Sequence, residues 1–249
     1  MSYLKRKRGQ LIVACFLISS LLLAAFPRID LSVSKAFYSG GFHLRDQWWH
    51  TFLHEGLGYF LLVSMLLVVG VYVFNRLSRR NLWKIDGKKV CYLFLVLILG
   101  AGLVVNVLLK DNFGRARPRD VAEFGGQKTF TPAFVVSQEC NTNCSFSSGD
   151  GAGAFFSLAL ALALSRRRRL FIAGIALGVV VSLGRIAVGA HFFSDTVVSF
   201  FVMLLTADVL YHYMFLSNPA RENSLVRGTT LTPVAPTAIA LDVGRNSQQ

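Results

Sequence analysis

Acidic residues are scarce in this chain of 249 residues, which has 13 Asp and Glu against 26 Lys and Arg. All charged residues together make up 16% of the chain, against roughly a quarter in a soluble domain. Four cysteines are too few for a disulfide-based scaffold. Hydrophobic residues reach 53%, and the mean hydropathy is +0.51. This composition argues against a soluble enzyme and against a disordered chain, and it indicates a membrane protein.

Six apolar runs are long enough, or nearly so, to cross a bilayer, which takes about 20 residues. They are Leu11–Phe26, Phe52–Phe74, Val90–Leu109, Ala152–Leu164, Leu170–Val188 and Phe192–Phe215. Because backbone groups inside a bilayer must be satisfied within the segment, residues 1–216 are predicted to form an all-α, integral membrane six-helix bundle. The polar segment 217–249 is predicted to be a disordered cytoplasmic tail.

The cations are unequally divided between the two sides of the predicted bundle. With the N-terminus in the cytoplasm, about two thirds of the 26 Lys and Arg fall on the inner side, as the positive-inside rule requires. Both termini are therefore predicted to be cytoplasmic. This topology accounts for the net charge of +13, so nucleic acid is not expected as a partner.

Most of the outer cations are concentrated in two places, the segment Lys110–Asp120, which reads KDNFGRARPRD, and Arg185. Since the rule predicts few cations on this side, the cluster indicates a local anionic partner. Taken alone, Lys110 equally fits a snorkelling lysine at a helix C-terminus.

A second polar segment, Cys144–Phe155, reads CSFSSGDGAGAF and leads into the fourth apolar run. A helix start exposes unpaired N–H groups, so Ser148 and Gly149 are a candidate phosphate cradle. The alternative is a serine N-cap followed by small residues that allow close helix packing.

The third segment, Gly184–Asp195, reads GRIAVGAHFFSD and joins the last two apolar runs. His191 stands four residues before Asp195, a spacing that places both on one face if the helix starts near His191. Asp195 would then accept from one ring nitrogen and leave the other free to attack. The alternative is that Arg185, His191 and Asp195 are interfacial anchors.

Together the three segments resemble the motifs of the type 2 phosphatidic acid phosphatase superfamily of membrane lipid phosphatases. Its first motif, a lysine followed after six residues by Arg-Pro, matches Lys110, Arg117 and Pro118. The second, Pro-Ser-Gly-His, matches residues 147–150 in part, with Ser in place of Pro and Asp in place of His. The third, Ser-Arg, five residues, His, three residues, Asp, matches residues 184–195 with Gly in place of Ser. The resemblance implies a six-helix bundle of the lipid phosphate phosphatase type.

The resemblance also implies hydrolysis of a phosphate ester through a phosphohistidine, without a metal or other cofactor. His191 would attack the phosphorus atom while Asp195 holds its ring. The residues expected to bind the phosphoryl oxygens are Lys110, Arg117, Ser148, Gly149 and Arg185. Carboxylate pairs of the DxD type, which bind Mg²⁺, are absent from the sequence.

Asp150 occupies the position where the family has the histidine that protonates the leaving oxygen. Three interpretations are open: Asp150 carries the proton itself, the leaving group is a diphosphate that needs little protonation, or the enzyme is slow or inactive. His50 and His54, at the outer end of the second run, are either ordinary interfacial residues or a second source of the proton.

The outer loop also contains Cys140 and Cys144, which form either a local disulfide or two free thiols. The loop around them looks most like that of bacterial lipid A phosphatases. The resemblance therefore implies a bacterial inner-membrane protein with its active site facing the periplasm and lipid A as substrate. The alternatives are undecaprenyl diphosphate, phosphatidylglycerophosphate, transfer of the phosphate to another lipid, or a catalytically inactive protein that binds lipid phosphates.

Overall fold

The computed structural model describes residues 2–165 and 167–217, with the side chains of residues 2–6, 50 and 53 excepted. Within these residues the regular structure is helical, apart from one isolated bridge between Val121 and Lys128. The predicted disordered tail lies, from residue 218 onward, outside the described residues.

The described residues form nine α-helices. They are α1 Ser2–Ala25, α2 Arg28–Lys35, α3 Trp48–Ser78, α4 Gly87–Val96, α5 Asp111–Phe113, α6 Gly149–Phe155, α7 Ser157–Leu164, α8 Arg168–Ala187 and α9 Phe193–Tyr211. The π-helix Leu97–Lys110 joins α4 to α5, and a second π-helix, His212–Leu216, extends α9. Four short 3-10 helices lie at His43–Asp46, Leu82–Lys84, Pro118–Asp120 and Ala122–Phe124.

Five helical segments are long and apolar enough to cross a membrane, and a sixth is shorter. The five are Lys7–Ala25, His54–Ser78, Gly87–Asp120, Arg168–Ala187 and Phe193–Leu216. The sixth, Gly149–Leu164, corresponds to the fourth predicted run and comprises α6 and α7. At 1.5 Å per residue it is about 24 Å long, less than the bilayer core of about 30 Å. Most of its residues are buried by neighbouring helices. The all-α, multi-pass bundle predicted from the sequence is confirmed. One of its helical segments is short and is largely buried by protein.

The centre of the bundle is α9, which is the most buried of the five long helices. Its Met203 packs against Gly100 of the first π-helix, where an added Cβ would lie 2.9 Å from the sulfur. Gly178 of α8 similarly has the ring of Phe155 against it, with no space for a side chain. Small residues at these crossings bring the backbones close together, which is how helices pack in membranes.

One end of the bundle carries the polar segments identified in the sequence. There α5 ends, the long connection 114–148 folds over the bundle, and α8 turns into α9. Main-chain hydrogen bonds anchor the connection at both ends: Ser137 N–H donates to the Phe113 carbonyl, and Ser145 N–H donates to the Arg115 carbonyl, both at 2.9 Å. The short helix α2 lies at the same end and brings Asp30 into contact with α9.

Candidate active site

His191 lies in the turn between α8 and α9, two residues before α9 begins at Phe193. The turn is closed by a hydrogen bond of 3.0 Å from Ala190 N–H to the Arg185 carbonyl. Gly189 has φ +65°, a conformation that favours glycine. The histidine is only 2% exposed. A short, fixed turn therefore holds a buried imidazole at one end of the bundle.

The protonation of the His191 ring follows from its hydrogen bond. Nδ1 lies 2.8 Å from the carbonyl oxygen of Ser145, which can only accept, so Nδ1 carries the proton and donates it. Burial lowers the pKa of His191 below its usual value, and the positive charges of Arg185 and Arg117 lower it further, against the opposing effect of Asp195. Neutral His191 therefore has a free electron pair on Nε2.

Asp195 lies one helical turn beyond His191, as the spacing predicts, and the two side chains are close. Its Oδ2 is 3.7 Å from Nδ1 of His191, which is too long for a direct hydrogen bond. The same oxygen accepts from Ser145 Oγ at 2.5 Å and from Phe192 N–H at 2.8 Å. The structure thus differs from the expected direct contact, because Ser145 from the long connection supplies the acceptor for the ring and a donor for the carboxylate.

A buried arginine holds the other side of the Asp195 carboxylate. Arg115 is 1% exposed, and its Nη1 lies 2.5 Å from Asp195 Oδ1 and 2.8 Å from Ser194 Oγ. Its Nη2 donates to Asp30 Oδ2 at 2.8 Å, and its Nε donates to the Thr131 carbonyl at 2.8 Å. We call Asp30, Arg115 and Asp195 the buried charge network. It consists of two carboxyl groups and one guanidinium.

Sequence analysis did not single out Arg115, Asp30 or Ser145. Arg115 was available as one of the four cations in segment 110–120 on the side where few are expected. Asp30 was available as one of only 13 acidic residues, placed directly after the first apolar run. Ser145 had no distinguishing signal, because its role depends on how the connection folds.

The three predicted phosphate-binding cations lie close enough together to interact electrostatically. Lys110 is beside the start of α6, where an added Cβ on Gly149 would lie 3.3 Å from Nζ. Arg117 donates to the Asn143 carbonyl from Nη2 at 2.7 Å and from Nε at 3.2 Å. Arg185 is 7% exposed. Because neighbouring cations repel one another, the cluster favours an anion between them.

Asp150 lies next to this cluster and has two basic neighbours. Its Oδ2 is 2.7 Å from Nε of Arg185 and 3.0 Å from Nδ1 of His54, near the start of α3. The structure thus brings one of the two predicted outer histidines to the site. The side chain of the other, His50, lies outside the described part of the chain.

Ser148 acts as the N-cap of α6. Its Oγ accepts from Gly151 N–H at 3.1 Å, and its own N–H points to the Asp195 carbonyl at 3.4 Å. The N-cap interpretation is therefore correct for the serine side chain. The phosphate cradle at Ser148 and Gly149 remains a prediction; the space beside Gly149 is bordered by Asn106 Oδ1 and by the Lys110 ammonium.

Cys140 and Cys144 are joined by a disulfide, with their Cα atoms 5.6 Å apart. The closed loop contains Asn143, whose carbonyl accepts both hydrogen bonds from Arg117. The next residue after the loop is Ser145, which contacts His191. The disulfide therefore constrains the segment that contacts both a predicted phosphate-binding cation and the candidate nucleophile.

An apolar groove of about 250 Å³ runs between α8 and α9. Ile186 and Phe193, at the ends of the turn that carries His191, line its outer part. Val179 and Phe200 line the part deeper in the bundle. The groove therefore lies beside the turn that carries the candidate nucleophile.

Metal ligands were not expected at this site. Across residues 2–165 and 167–217, no group of three or more His, Cys, Asp or Glu is arranged to hold a metal ion. Metal independence itself stays a prediction.

Three comparisons with known proteins agree with these observations. A model of the PAP2 superfamily matches residues 89–219. The lipid A 4'-phosphatase of Francisella tularensis subsp. novicida is 32% identical over 215 residues, which cover 82% of this chain and 94% of the relative. The lipid A 4'-phosphatase of Rhizobium leguminosarum is 28% identical over 205 residues, which cover 75% and 87%.

A solved structure has the same fold. The crystal structure of a transmembrane PAP2 type phosphatidylglycerolphosphate phosphatase from Bacillus subtilis superposes with a TM-score of 0.54 and 20% sequence identity. The superposition covers 82% of this chain and 94% of that protein. The arrangement of membrane helices is therefore shared, although the sequences have diverged.

Proposed function

The chain belongs to the PAP2 superfamily, and we propose on this premise that it is a membrane lipid phosphatase that removes the 4'-phosphate of lipid A. The observation that carries the proposal is the buried neutral His191, which lies within electrostatic reach of Arg117 and Arg185. An imidazole with a free Nε2 beside a cluster of cations is suited to attack a phosphate.

The choice of substrate is supported by two observations. The two named relatives act on lipid A, and each aligns with more than four fifths of its own length. The apolar groove beside the turn of His191 offers a place for the acyl part of a lipid, which a soluble phosphate ester would not need.

The proposed reaction begins with attack of His191 Nε2 on the phosphorus atom. As the N–P bond forms, the bond from phosphorus to the lipid oxygen breaks, and the ring becomes a phosphorylated imidazolium with its proton on Nδ1. Ser145 accepts that proton's hydrogen bond, and the Asp195 carboxylate at 3.7 Å stabilises the new positive charge. Water then cleaves the N–P bond and releases inorganic phosphate.

The role we propose for the cations is to bind the phosphoryl oxygens while charge redistributes over them. Lys110 at the end of the first π-helix, Arg117 in the connection 114–148 and Arg185 in α8 supply this charge. The Gly149 N–H at the start of α6 adds a neutral donor. The protein supplies all of these groups, so we propose that the reaction proceeds without a metal ion.

The location we propose follows from the distribution of Lys and Arg. Both termini lie in the cytoplasm of a bacterium, the helices cross the inner membrane, and the site faces the periplasm. Phosphate groups of a lipid lie in the headgroup layer, at the level where this end of the bundle meets water. An oxidising periplasm also suits the disulfide between Cys140 and Cys144.

The proposal is tested by measuring phosphate released by the purified protein in detergent with EDTA present. Lipid A, undecaprenyl diphosphate and phosphatidylglycerophosphate are compared, and mass spectrometry identifies which phosphate of lipid A is lost. We expect turnover of lipid A at the 4' position. Preferred turnover of another lipid would refute lipid A as the substrate, and loss of activity in EDTA would refute the metal-free mechanism.

Two controls separate catalysis from binding. His191→Ala should release no phosphate and should not be labelled by ³²P-lipid, whereas the unaltered protein gives an acid-labile phosphohistidine. Arg45→Ala, at an outer cation with no assigned role, should retain activity. Binding of lipid A without turnover by the unaltered protein would instead indicate a lipid-phosphate-binding protein.

A further inference from the structure

The histidine of the family's second motif is replaced by Asp150 in this chain. The oxygen of the departing lipid therefore lacks its usual proton donor. We propose that His54 of α3 is the general acid of this enzyme, and that Asp150 is the positioning residue that holds it at the site. This inference rests on the proposed phosphatase function and assigns the proton-transfer step within it.

The geometry brings two distant parts of the chain together for this purpose. Asp150 is 96 residues away from His54 in the sequence, yet its Oδ2 lies 3.0 Å from Nδ1 of His54. A carboxylate beside Nδ1 fixes a proton on that nitrogen and stabilises the imidazolium, so Nε2–H becomes the donor. At the position of the family's histidine, the shorter Asp150 side chain thus holds the imidazole of His54.

The charges around the pair agree with this role. The same Oδ2 is 2.7 Å from Nε of Arg185, so the carboxylate stays ionised and links the acid to a phosphate-binding cation. Lys110 and His191 also act electrostatically on Asp150. An ionised Asp150 cannot donate a proton, whereas a protonated His54 can.

The two histidines differ in exposure as the reaction requires. His191 is 2% exposed and attacks from inside the bundle. The His54 side chain is 52% exposed, and that of Asp150 is 19% exposed. In an in-line displacement the leaving group departs on the side opposite the nucleophile. The proposal therefore places the exposed His54 on the side where the lipid alcohol leaves.

The proposed step is balanced in protons and bonds. As His191 Nε2 forms a bond to phosphorus, the bond from phosphorus to the lipid oxygen breaks, and His54 Nε2–H transfers its proton to that oxygen. The lipid leaves as a neutral alcohol, and His54 is left neutral. His54 then takes a proton from the water that attacks the phosphohistidine, which restores the starting state.

The test compares two phosphate esters that differ in their need for an acid. Lipid A leaves as a basic alkoxide, whereas p-nitrophenyl phosphate leaves as a stable phenolate that needs no proton. We expect His54→Ala to lower kcat/KM for lipid A about 100- to 1,000-fold and to change that for p-nitrophenyl phosphate less than about threefold. The matched control is His43→Ala, at an exposed histidine whose Nε2 lies 2.9 Å from the Ser39 carbonyl, and it should leave both values unchanged.

A second arm uses lipid A alone. Asp150→His restores the family's residue, so His54→Ala with Asp150→His should recover at least about tenfold of the lost activity. The inference is refuted by a loss below tenfold for lipid A in His54→Ala, by an equal loss with both esters, or by failure of the rescue in a folded protein. Failure of the unaltered protein on every substrate would instead refute the proposed function.

Discussion

Replacing Arg115 by methionine is the most direct test of the buried charge network. The side chain is 1% exposed, as is that of Asp30, and Asp195 is fully buried. Methionine fills a similar volume and removes the only positive charge from the network. Two carboxylates would then remain buried near each other without a cation.

The expected cost is large because the partners that remain are charged. Removing one member of a buried ion pair typically destabilises a protein by about 3–5 kcal/mol. For a chain of this length, each kcal/mol lowers the melting temperature by roughly 2–4 °C, so Arg115→Met should melt about 6–20 °C lower. Asp30→Asn with Arg115→Met removes one negative charge as well and should recover part of this loss.

The loss should also depend on pH. Burial already raises the pKa of Asp30, and Asp195 raises it further, against the lowering effect of Arg115. A carboxyl group whose pKa is raised by folding contributes less stability as the pH rises through the folded pKa. The melting temperature of Arg115→Met should therefore fall further below that of the unaltered protein at about pH 8 than at about pH 5.

The assay is thermal unfolding in detergent, followed by the loss of monodisperse protein. Arg119→Met is the matched control, since Arg119 is partly exposed and its ion pair with Asp120 is 3.8 Å long. It should shift the melting temperature little, because such pairs contribute about 0–1 kcal/mol. Equal shifts for the two variants, or a double variant no more stable than Arg115→Met, would refute the reasoning.

Three further predictions concern the site. Because the pKa of His191 lies below that of an exposed histidine, kcat/KM should show no decline as the pH falls to about 6.5 and should decline only below it; a decline that starts well above this value contradicts the assignment. Cys140→Ser should lower kcat/KM about tenfold, because Arg117 is no longer held by the disulfide-closed loop, and reductant should change the variant little. An unaltered protein insensitive to reductant would argue against this role of the disulfide. Gly149→Ala should raise KM several-fold, since the new methyl group displaces the Lys110 ammonium, and an unchanged KM would remove Gly149 from the phosphate site.

The sequence determined the class of fold and indicated the candidate site residues. Long apolar runs can satisfy their backbone groups in a bilayer only as helices, so the bundle was predictable from composition alone. The spacing of His191 and Asp195 fixed their proximity, because four residues are one helical turn. Positive charge on the predicted outer side, where few cations are expected, indicated Lys110, Arg117 and Arg185 as candidate phosphate-binding residues.

Only the tertiary structure decided which groups those residues contact. Ser145 contacts His191 across 46 residues of sequence, and His54 contacts Asp150 across 96. Arg115 joins Asp30, 85 residues before it, to Asp195, 80 residues after it. Hydrogen bonds and ion pairs act over about 3 Å, so they depend on how the connection 114–148 packs against the ends of the helices. Motifs and spacings along the chain do not predict the distances between side chains that are far apart in sequence.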